Sequence, residues 1–209
     1  LAACVLATEP VRLTNVPRIR DVQTMLELLA DIGAEVDWSG PNEVNVDPAG
    51  VHKTELDEEL CRRIRASFLL AGPLLARFGR VSVPPPGGDV IGRRRLDTHF
   101  LALEQLGATY KIGRKFEFKT SGLRGADIFL DEPSVTATEN ALTAAVAASG
   151  RTVLSNAASE PHVQDLAHFL TTLGAHIEGI GTNTLTIHGG HAVRGGTHTI
   201  GPDHIEVGS

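Results

Sequence analysis

The chain has 209 residues, of which 42% are hydrophobic and 21% are charged, a composition that excludes disordered and collagen-like proteins. Its formal net charge of −6 gives no general attraction for nucleic acid or for an acidic membrane surface, and we expect neither as a partner. The longest weakly charged stretch, residues 66–76, is about half of the roughly 20 residues that a membrane-spanning helix needs.

Hydrophobic periodicity predicts helices and strands that alternate along the chain. The predicted helices cover residues 1–7, 22–29, 65–78, 99–106, 137–149 and 166–173. The predicted strands cover residues 11–14, 80–83, 127–130 and 152–155, with hairpins over residues 35–46, 109–119 and 176–187. Since each hairpin follows a helix, the same order of elements occurs about three times.

A short phrase closes the helix before every hairpin. It reads Ile32-Gly33-Ala34, Leu106-Gly107-Ala108 and Leu173-Gly174-Ala175. Glycine is a natural residue after a helix because it adopts left-handed backbone angles without a steric penalty. We therefore predict an α+β fold of three repeated units, about residues 1–60, 61–130 and 131–200, which form a single domain with buried helices and outer sheets.

Residues 84–97 interrupt this repeat between the strand and the second helix of the middle unit. Three prolines and then two glycines join a stiff segment to a permissive one, which suits an exposed loop that closes over a ligand. Asp89 follows at the tip, and Arg93 to Arg95 precede a helix N-terminus, where phosphate or carboxylate oxygens bind well. The pattern predicts an anionic substrate, while a turn aspartate and a solvated basic turn remain the alternatives.

Many ordered motifs along nearly the whole chain resemble the UDP-N-acetylglucosamine 1-carboxyvinyltransferase family of enolpyruvyl transferases. They are Asn15-Val16-Pro17, Arg20-Asp21-Val22, Arg65-Ala66-Ser67, Arg77-Phe78-Gly79, Pro86-Gly87-Gly88-Asp89-Val90-Ile91-Gly92, Arg124-Gly125-Ala126, Ser134-Val135-Thr136-Ala137-Thr138, Asn156-Ala157-Ala158-Ser159-Glu160-Pro161 and Pro202-Asp203-His204-Ile205-Glu206. The resemblance implies one domain of an inside-out α/β barrel, with the active site between two such domains. Residues 201–209 are then expected to cross over toward a second domain that is absent from this chain.

The resemblance also implies roles for individual residues. Asp89 stands where most members have a cysteine, and some an aspartate, that acts as proton donor, so Asp89 is the expected general acid. Arg94 matches an arginine that meets the phosphates of both substrates, and Arg65 matches a sugar-nucleotide contact. The expected uridine-binding residues are Arg95, Leu96, Asp97, Thr98, Glu132, Pro133, Ser134 and Val135. Glu160 matches a glutamate near the loop hinge, and it is equally well explained as a charge at a helix N-terminus.

The implied reaction moves the enolpyruvyl group of phosphoenolpyruvate to the 3′-hydroxyl of UDP-N-acetylglucosamine and releases phosphate, as the first committed step of peptidoglycan synthesis. No cofactor is expected. A carboxylate at position 89 also implies insensitivity to fosfomycin, which alkylates the thiolate. The family's Lys-Asn motif is expected before Leu1, and its Asp general base and further arginines after Ser209, so the fragment alone is expected to be inactive.

Two alternatives remain open. One is 3-phosphoshikimate 1-carboxyvinyltransferase, which uses phosphoenolpyruvate on the same fold, although its Gly-Asn-Ala-Gly-Thr motif is absent from the chain. The other is a non-catalytic paralogue that binds the sugar nucleotide. That paralogue is suggested by departures from the family pattern at Thr136 and His204, and Arg95 and His162 are further departures from that pattern.

Cysteine and histidine usage gives little indication of a metal site or a disulfide framework. Cys4 and Cys61 lie in helical segments away from other thiols, which favours a cytoplasmic protein. His188 and His191 are the closest histidine pair, but Gly189 and Gly190 between them indicate a turn, and no cysteine or carboxylate follows at a usual ligand spacing. We therefore expect no metal.

Overall fold

The computed structural model describes residues 1–88 and 95–202. Within these ranges the helices are α1 Arg20–Asp31, α2 Glu58–Arg63, α3 Ala71–Phe78, α4 Asp97–Gln105, α5 Val135–Ala147 and α6 Pro161–Thr172, with 3-10 helices at Ala2–Leu6 and Arg65–Leu70. The strands are β1 Val11–Thr14, β2 Glu35–Gly40, β3 Glu43–Asp47, β4 Arg80–Val83, β5 Thr109–Ile112, β6 Phe116–Lys119, β7 Asp127–Phe129, β8 Gly150–Ser155, β9 His176–Glu178, β10 Thr184–Gly189 and β11 Gly196–Thr199. The α+β class is confirmed.

The strands form three sheets that share one arrangement. Their strand orders are β11-β1-β3-β2, β4-β6-β5 and β7-β8-β10-β9. In each sheet a hairpin pairs antiparallel with a short central strand. That central strand also has a parallel neighbour, which is β11 beside β1, β7 beside β8, and the single bridge of Glu55 to Ser82 beside β4. The common pattern is what three related units produce.

The last described strand returns to the first sheet. In β11, Gly196 to Thr199 pair in parallel with Val11 to Thr14, so residues about 185 positions apart lie side by side. Strand β11 was not predicted from the sequence, because none of its four residues is a large apolar residue. Its side chains alternate only between partial and full exposure. The pairing ties the two ends of the described chain together.

Helices α3 and α5 form the interior between the sheets. On α5, nine residues are buried, and most of them are small, which lets neighbouring helices come close. One such close contact is at Gly72 of α3, where an added Cβ would lie 2.6 Å from the backbone oxygen of Asn140. The predicted burial of helices is therefore confirmed.

The predicted helix over residues 65–78 is two helices. A 3-10 helix covers Arg65–Leu70 and α3 covers Ala71–Phe78. Pro73 lies in the first turn of α3, where its missing N–H group is not needed, whereas a continuous α-helix through Pro73 would lose a hydrogen bond and clash with residue 69. The predicted helix over residues 1–7 is also a 3-10 helix, and α2 was not predicted.

The glycine after each helix has the expected backbone. Gly33, Gly107 and Gly174 have φ angles of 105°, 94° and 103°.

In the described part of the chain, no helix is long and apolar enough to cross a membrane.

Two asparagines mark equivalent points in the first and third units. Asn15 and Asn156 follow β1 and β8, and both have a φ angle of 58°, which favours asparagine or glycine. Their side-chain amides donate to the carbonyls of Ile200 and Leu130, both at 2.8 Å, just after the parallel neighbour strand. At the corresponding position after β4 the middle unit has Pro84, where the loop begins.

We predict that Asn156→Ala lowers the free energy of unfolding by about 2 kcal/mol. About half of this comes from the lost hydrogen bond to Leu130 and half from holding alanine at a left-handed φ angle. Urea denaturation of the full-length protein measures the change. Asn156→Gly is the matched control, because it loses the hydrogen bond but tolerates the φ angle, and equal losses for both variants would contradict this account.

Candidate functional site

The first turns of α4 and α5 lie side by side. The Thr98 hydroxyl donates to Asp131 Oδ1 at 2.6 Å, just ahead of α5. In the first turns of the two helices, the His99 Nε2 and Thr136 Oγ1 atoms are 3.1 Å apart. Ser134 is the N-cap of α5, where its hydroxyl accepts from the Ala137 amide at 3.4 Å. The two segments expected to bind uridine are therefore neighbours.

A buried hydrogen-bond network holds this arrangement. The Asn140 side-chain amide donates to the Phe68 carbonyl at 2.9 Å and lies 3.0 Å from His99 Nδ1, while its oxygen accepts from the Gly72 amide at 2.8 Å. Since both amide hydrogens are used in donation, His99 Nδ1 is the acceptor and its Nε2–H donates to Thr136. Thr136, a departure from the family pattern, thus has a clear partner.

His99 is neutral in this network. Burial, together with a smaller contribution from the nearby Arg65 charge, lowers the pKa of the His99 imidazole to about 3. A neutral His99 adds no positive charge beside Arg65.

Arg65 connects the α4 segment to the base of the loop. Its guanidinium Nη2 donates to the Arg95 carbonyl at 3.2 Å. On the other side of the loop, an added Cβ at Gly88 would lie 3.1 Å from the Arg65 backbone nitrogen. Gly88 and Arg95, the described residues that flank residues 89–94, therefore both lie against Arg65.

Glycine is required at the base of the loop. The Gly87 amide donates to the Cys61 carbonyl at 2.9 Å, and an added Cβ at Gly87 would lie 1.6 Å from the Arg62 carbonyl oxygen. No side chain fits there without a backbone shift. The chain therefore leaves β4 along a path set by close contact with α2 and the residues after it.

The electrostatic character of the site suits an anion. The N-terminal turns of α4 and α5 leave backbone N–H groups without helical partners, and their dipoles place partial positive charge there. Arg65 and Arg95 add fixed charge, although Arg95 is also 3.6 Å from the exposed Asp97 carboxylate. A phosphate-bearing ligand matches this combination.

The structure brings most of the expected substrate-binding residues into this one region. The described members are Arg65, Arg95, Leu96, Asp97, Thr98, Glu132, Pro133, Ser134 and Val135. Asp89 and Arg94 lie outside the described residues, as do His204 and most of the expected crossover segment. Glu160 is the N-cap residue of α6, and its side chain makes no capping hydrogen bond.

Glu139 is a functional candidate that the sequence reasoning missed. It lines a cleft of about 240 Å³ together with Leu1, Thr143, His162, Asp165 and other residues. Burial, reinforced by the Glu160 charge, raises the pKa of the Glu139 carboxyl to about 7. The sequence contained one indication of this role, since Glu139 is the one charged residue of α5.

The profile of the EPSP synthase (3-phosphoshikimate 1-carboxyvinyltransferase) family matches residues 1–209. The chain belongs to this family. It is 63% identical over its full length to a UDP-N-acetylglucosamine 1-carboxyvinyltransferase of Bradyrhizobium diazoefficiens and 54% identical to one of Treponema pallidum, and covers 48% and 49% of those proteins. The chain therefore spans about half the length of the curated relatives it matches.

Solved structures agree with the family assignment. The enolpyruvyl transferase NikO of Streptomyces tendae superimposes with a TM-score of 0.85 at 27% identity, over 99% of this chain and 49% of that one. An EPSP synthase of Acinetobacter baumannii superimposes with a TM-score of 0.74 at 18% identity, covering 95% of this chain and 46% of that one, which supports the fold alone. The expected resemblance to enolpyruvyl transferases is confirmed.

Glu139 and His99 predict opposite pH dependences of stability. His99 has a folded pKa of about 3, below its unfolded value, so its contribution is full above about pH 6.5 and is lost as the pH falls. Glu139 has a folded pKa of about 7, above the ordinary 4.5, so its contribution is full below about pH 4.5 and is lost as the pH rises toward 7. Between these limits the two contributions offset each other.

We predict that Glu139→Gln removes the contribution of Glu139 to the pH dependence of stability and leaves that of His99. From pH 5 to pH 6.5 the free energy of unfolding of the variant should rise relative to the wild type by up to about 1.4 kcal/mol per pH unit. Urea denaturation at several pH values measures the difference. Glu104→Gln changes an exposed glutamate of α4 and should leave the wild-type pH profile unaltered. Parallel profiles for Glu139→Gln and wild type would show that the Glu139 carboxyl is charged throughout.

Proposed function

We propose that the full-length protein containing this chain transfers the enolpyruvyl group of phosphoenolpyruvate to the 3′-hydroxyl of UDP-N-acetylglucosamine and releases phosphate, as an early cytoplasmic step of peptidoglycan synthesis. The observation that carries the proposal is the adjacency of the α4 and α5 N-terminal turns beside Arg65. Identity of 63% to a relative with this named activity supports the same substrates. The reaction needs no cofactor in this proposal.

The sugar nucleotide is assigned to the two neighbouring helix starts. Residues 95–98 and 132–135 lead into the first turns of α4 and α5, where N–H groups have no partner within the helix, and Arg65 lies beside the first of these segments. Backbone N–H groups and fixed guanidinium charge recognise a diphosphate without moving during the reaction. The Thr98 to Asp131 hydrogen bond keeps the two segments in register.

The chemistry is assigned to the loop between Gly88 and Arg95. Protonation of phosphoenolpyruvate at C3 by Asp89 lets the sugar hydroxyl form a bond to C2, giving a tetrahedral intermediate that still bears phosphate. Loss of phosphate and of the C3 proton then regenerates the double bond. Arg94 stabilises the phosphate charge, and Asp89 acts as an acid only where its pKa rises above the ordinary value near 3.9.

A second domain is part of the proposal. The chain spans about half the length of its curated relatives, so the rest of such a protein has room for another domain of similar size. That domain would supply the general base and the remaining arginines. Activity is therefore expected of the full-length protein and not of residues 1–209 alone.

We predict that Asp89→Ala lowers phosphate release from phosphoenolpyruvate and UDP-N-acetylglucosamine by at least about 100-fold, since positioned general acids contribute roughly 10²- to 10⁴-fold. Asp89→Cys is the matched variant, because a thiol also donates a proton. It should retain activity and become inactivated by fosfomycin, whereas the wild type should not. Wild-type activity of Asp89→Ala, with normal protein folding, would exclude Asp89 as the acid.

The same assay separates the alternatives. Phosphate release with shikimate 3-phosphate as acceptor, and none with the uridine nucleotide, would identify a 3-phosphoshikimate 1-carboxyvinyltransferase. Tight binding of UDP-N-acetylglucosamine without phosphate release would identify a non-catalytic paralogue.

We predict that Gly87→Ala lowers the rate of phosphate release while binding of the nucleotide changes less. The added Cβ overlaps the Arg62 carbonyl, so the start of the loop must shift and the proton donor moves away from its working position. Gly113→Ala is the control, because its added Cβ has only one neighbour, at 3.9 Å, in an exposed turn. Equal rates for both variants would show that the loop tolerates displacement at its base.

A further inference from the structure

Two histidines and a glutamate gather on the third sheet, far along the chain from the candidate functional site. Strands β9 and β10 pair antiparallel with His176 directly opposite His188, and Glu178 lies two residues after His176 on the same face. Ile177 and Ile187, the alternate residues of the same strands, are buried. The strand pleat therefore directs all three polar side chains to the outer face of the sheet.

The three side chains converge on one point. Glu178 Oε1 lies 3.2 Å from His188 Nε2 and 3.5 Å from His176 Nε2. The imidazole rings stack with centroids 4.5 Å apart, and one potential ligand atom from each residue lies within 4.8 Å of the others. The residues that group with His188 are thus His176 and Glu178, whereas the sequence analysis considered only the pair of His188 with His191 and expected no metal.

We propose that His176, Glu178 and His188 form a binding site for a divalent transition-metal ion, with Zn²⁺ as the best fit. Zinc bonds of about 2.0–2.1 Å to nitrogen and oxygen in a tetrahedron separate neighbouring ligand atoms by about 3.3–3.4 Å. Two of the three separations, 3.2 Å and 3.5 Å, match this geometry, and the third lies within 4.8 Å. Three protein ligands leave the fourth position to water.

The donor set selects the class of metal. Two imidazole nitrogens and one carboxylate oxygen suit Zn²⁺, Ni²⁺ and Cu²⁺, whereas Mg²⁺ and Ca²⁺ prefer all-oxygen sites. Sequence spacing could not show this set, because the carboxylate joins His188 across a hairpin and not along the chain.

The charged side chains around the three residues allow a cation to bind there. Arg151 of β8 is opposite His188, but its guanidinium is directed to Asp127 Oδ1 at 3.5 Å. Thr186, opposite Glu178, is uncharged. The carboxylate of Glu178 therefore remains the nearest charge to the imidazole pair.

The proposed metal site lies away from the proposed nucleotide site. Along β8, His188 aligns with Arg151, whereas the end of β7 aligns with Ser155, four residues further on. That separation is roughly 13 Å along the strand, and the nucleotide segment begins beyond it. Substitutions at the metal site should therefore leave enolpyruvyl transfer in metal-free buffer unchanged.

The test is equilibrium dialysis of the full-length protein against Zn²⁺ alone. The wild type should bind one more equivalent than His188→Gln, or bind it at least about tenfold more tightly, and His176→Gln and Glu178→Gln should behave like His188→Gln. His191→Gln, an exposed histidine outside the group, is the matched control and should bind like the wild type. Mg²⁺ at the same concentration should not compete with Zn²⁺ for the site.

Two results would overturn the proposal. Equal zinc binding by the wild type and His188→Gln would place any bound zinc elsewhere, and no zinc binding by the wild type would reduce the group to a hydrogen-bonded surface cluster. Circular dichroism and thermal melting confirm that each variant is folded before the comparison. Substitution with Co²⁺ gives an independent readout, because the proposed site predicts the visible spectrum of a four-coordinate ion that His188→Gln lacks.

Discussion

The buried side-chain amide of Asn140 is the interaction on which the rest of the structure depends. It satisfies the Gly72 amide and the Phe68 carbonyl, and it fixes His99 as a neutral acceptor. Each of these buried groups would cost about 1–3 kcal/mol if left without a partner. The same amide therefore stabilises the helical interior and sets the position of α4 relative to α5, which is the geometry that the proposed nucleotide site uses.

The titratable groups His99 and Glu139 of this interior are not fully charged. Burial keeps His99 neutral and raises the pKa of Glu139, so neither group carries a full buried charge near neutral pH. The positive charge at the site comes instead from Arg65, Arg95 and the helix N-termini, which lie nearer the surface. An anionic ligand thus meets fixed positive charge without competition from a buried counter-ion.

The repeated architecture explains where the functional features lie. Asn15 and Asn156 follow β1 and β8 with the same left-handed backbone and the same amide-to-carbonyl hydrogen bond, whereas the middle unit has Pro84 after β4 and continues into the loop. The departure from the repeat is therefore the place where chemistry is proposed. The third sheet carries the His176, Glu178 and His188 group on its outer face, where a separate function is proposed.

The sequence by itself determined the α+β class, most of the helices and strands, and the glycines at the helix ends, because these depend on local periodicity and on backbone angles. Motif resemblance also identified the family and selected residues 95–98 and 132–135. Only the tertiary structure decided which segments meet: the pairing of β11 with β1, the contact of Thr98 with Asp131, and the grouping of Glu178 with two histidines. Such contacts join residues far apart in the chain, and their geometry follows from packing and strand register, which no local pattern encodes.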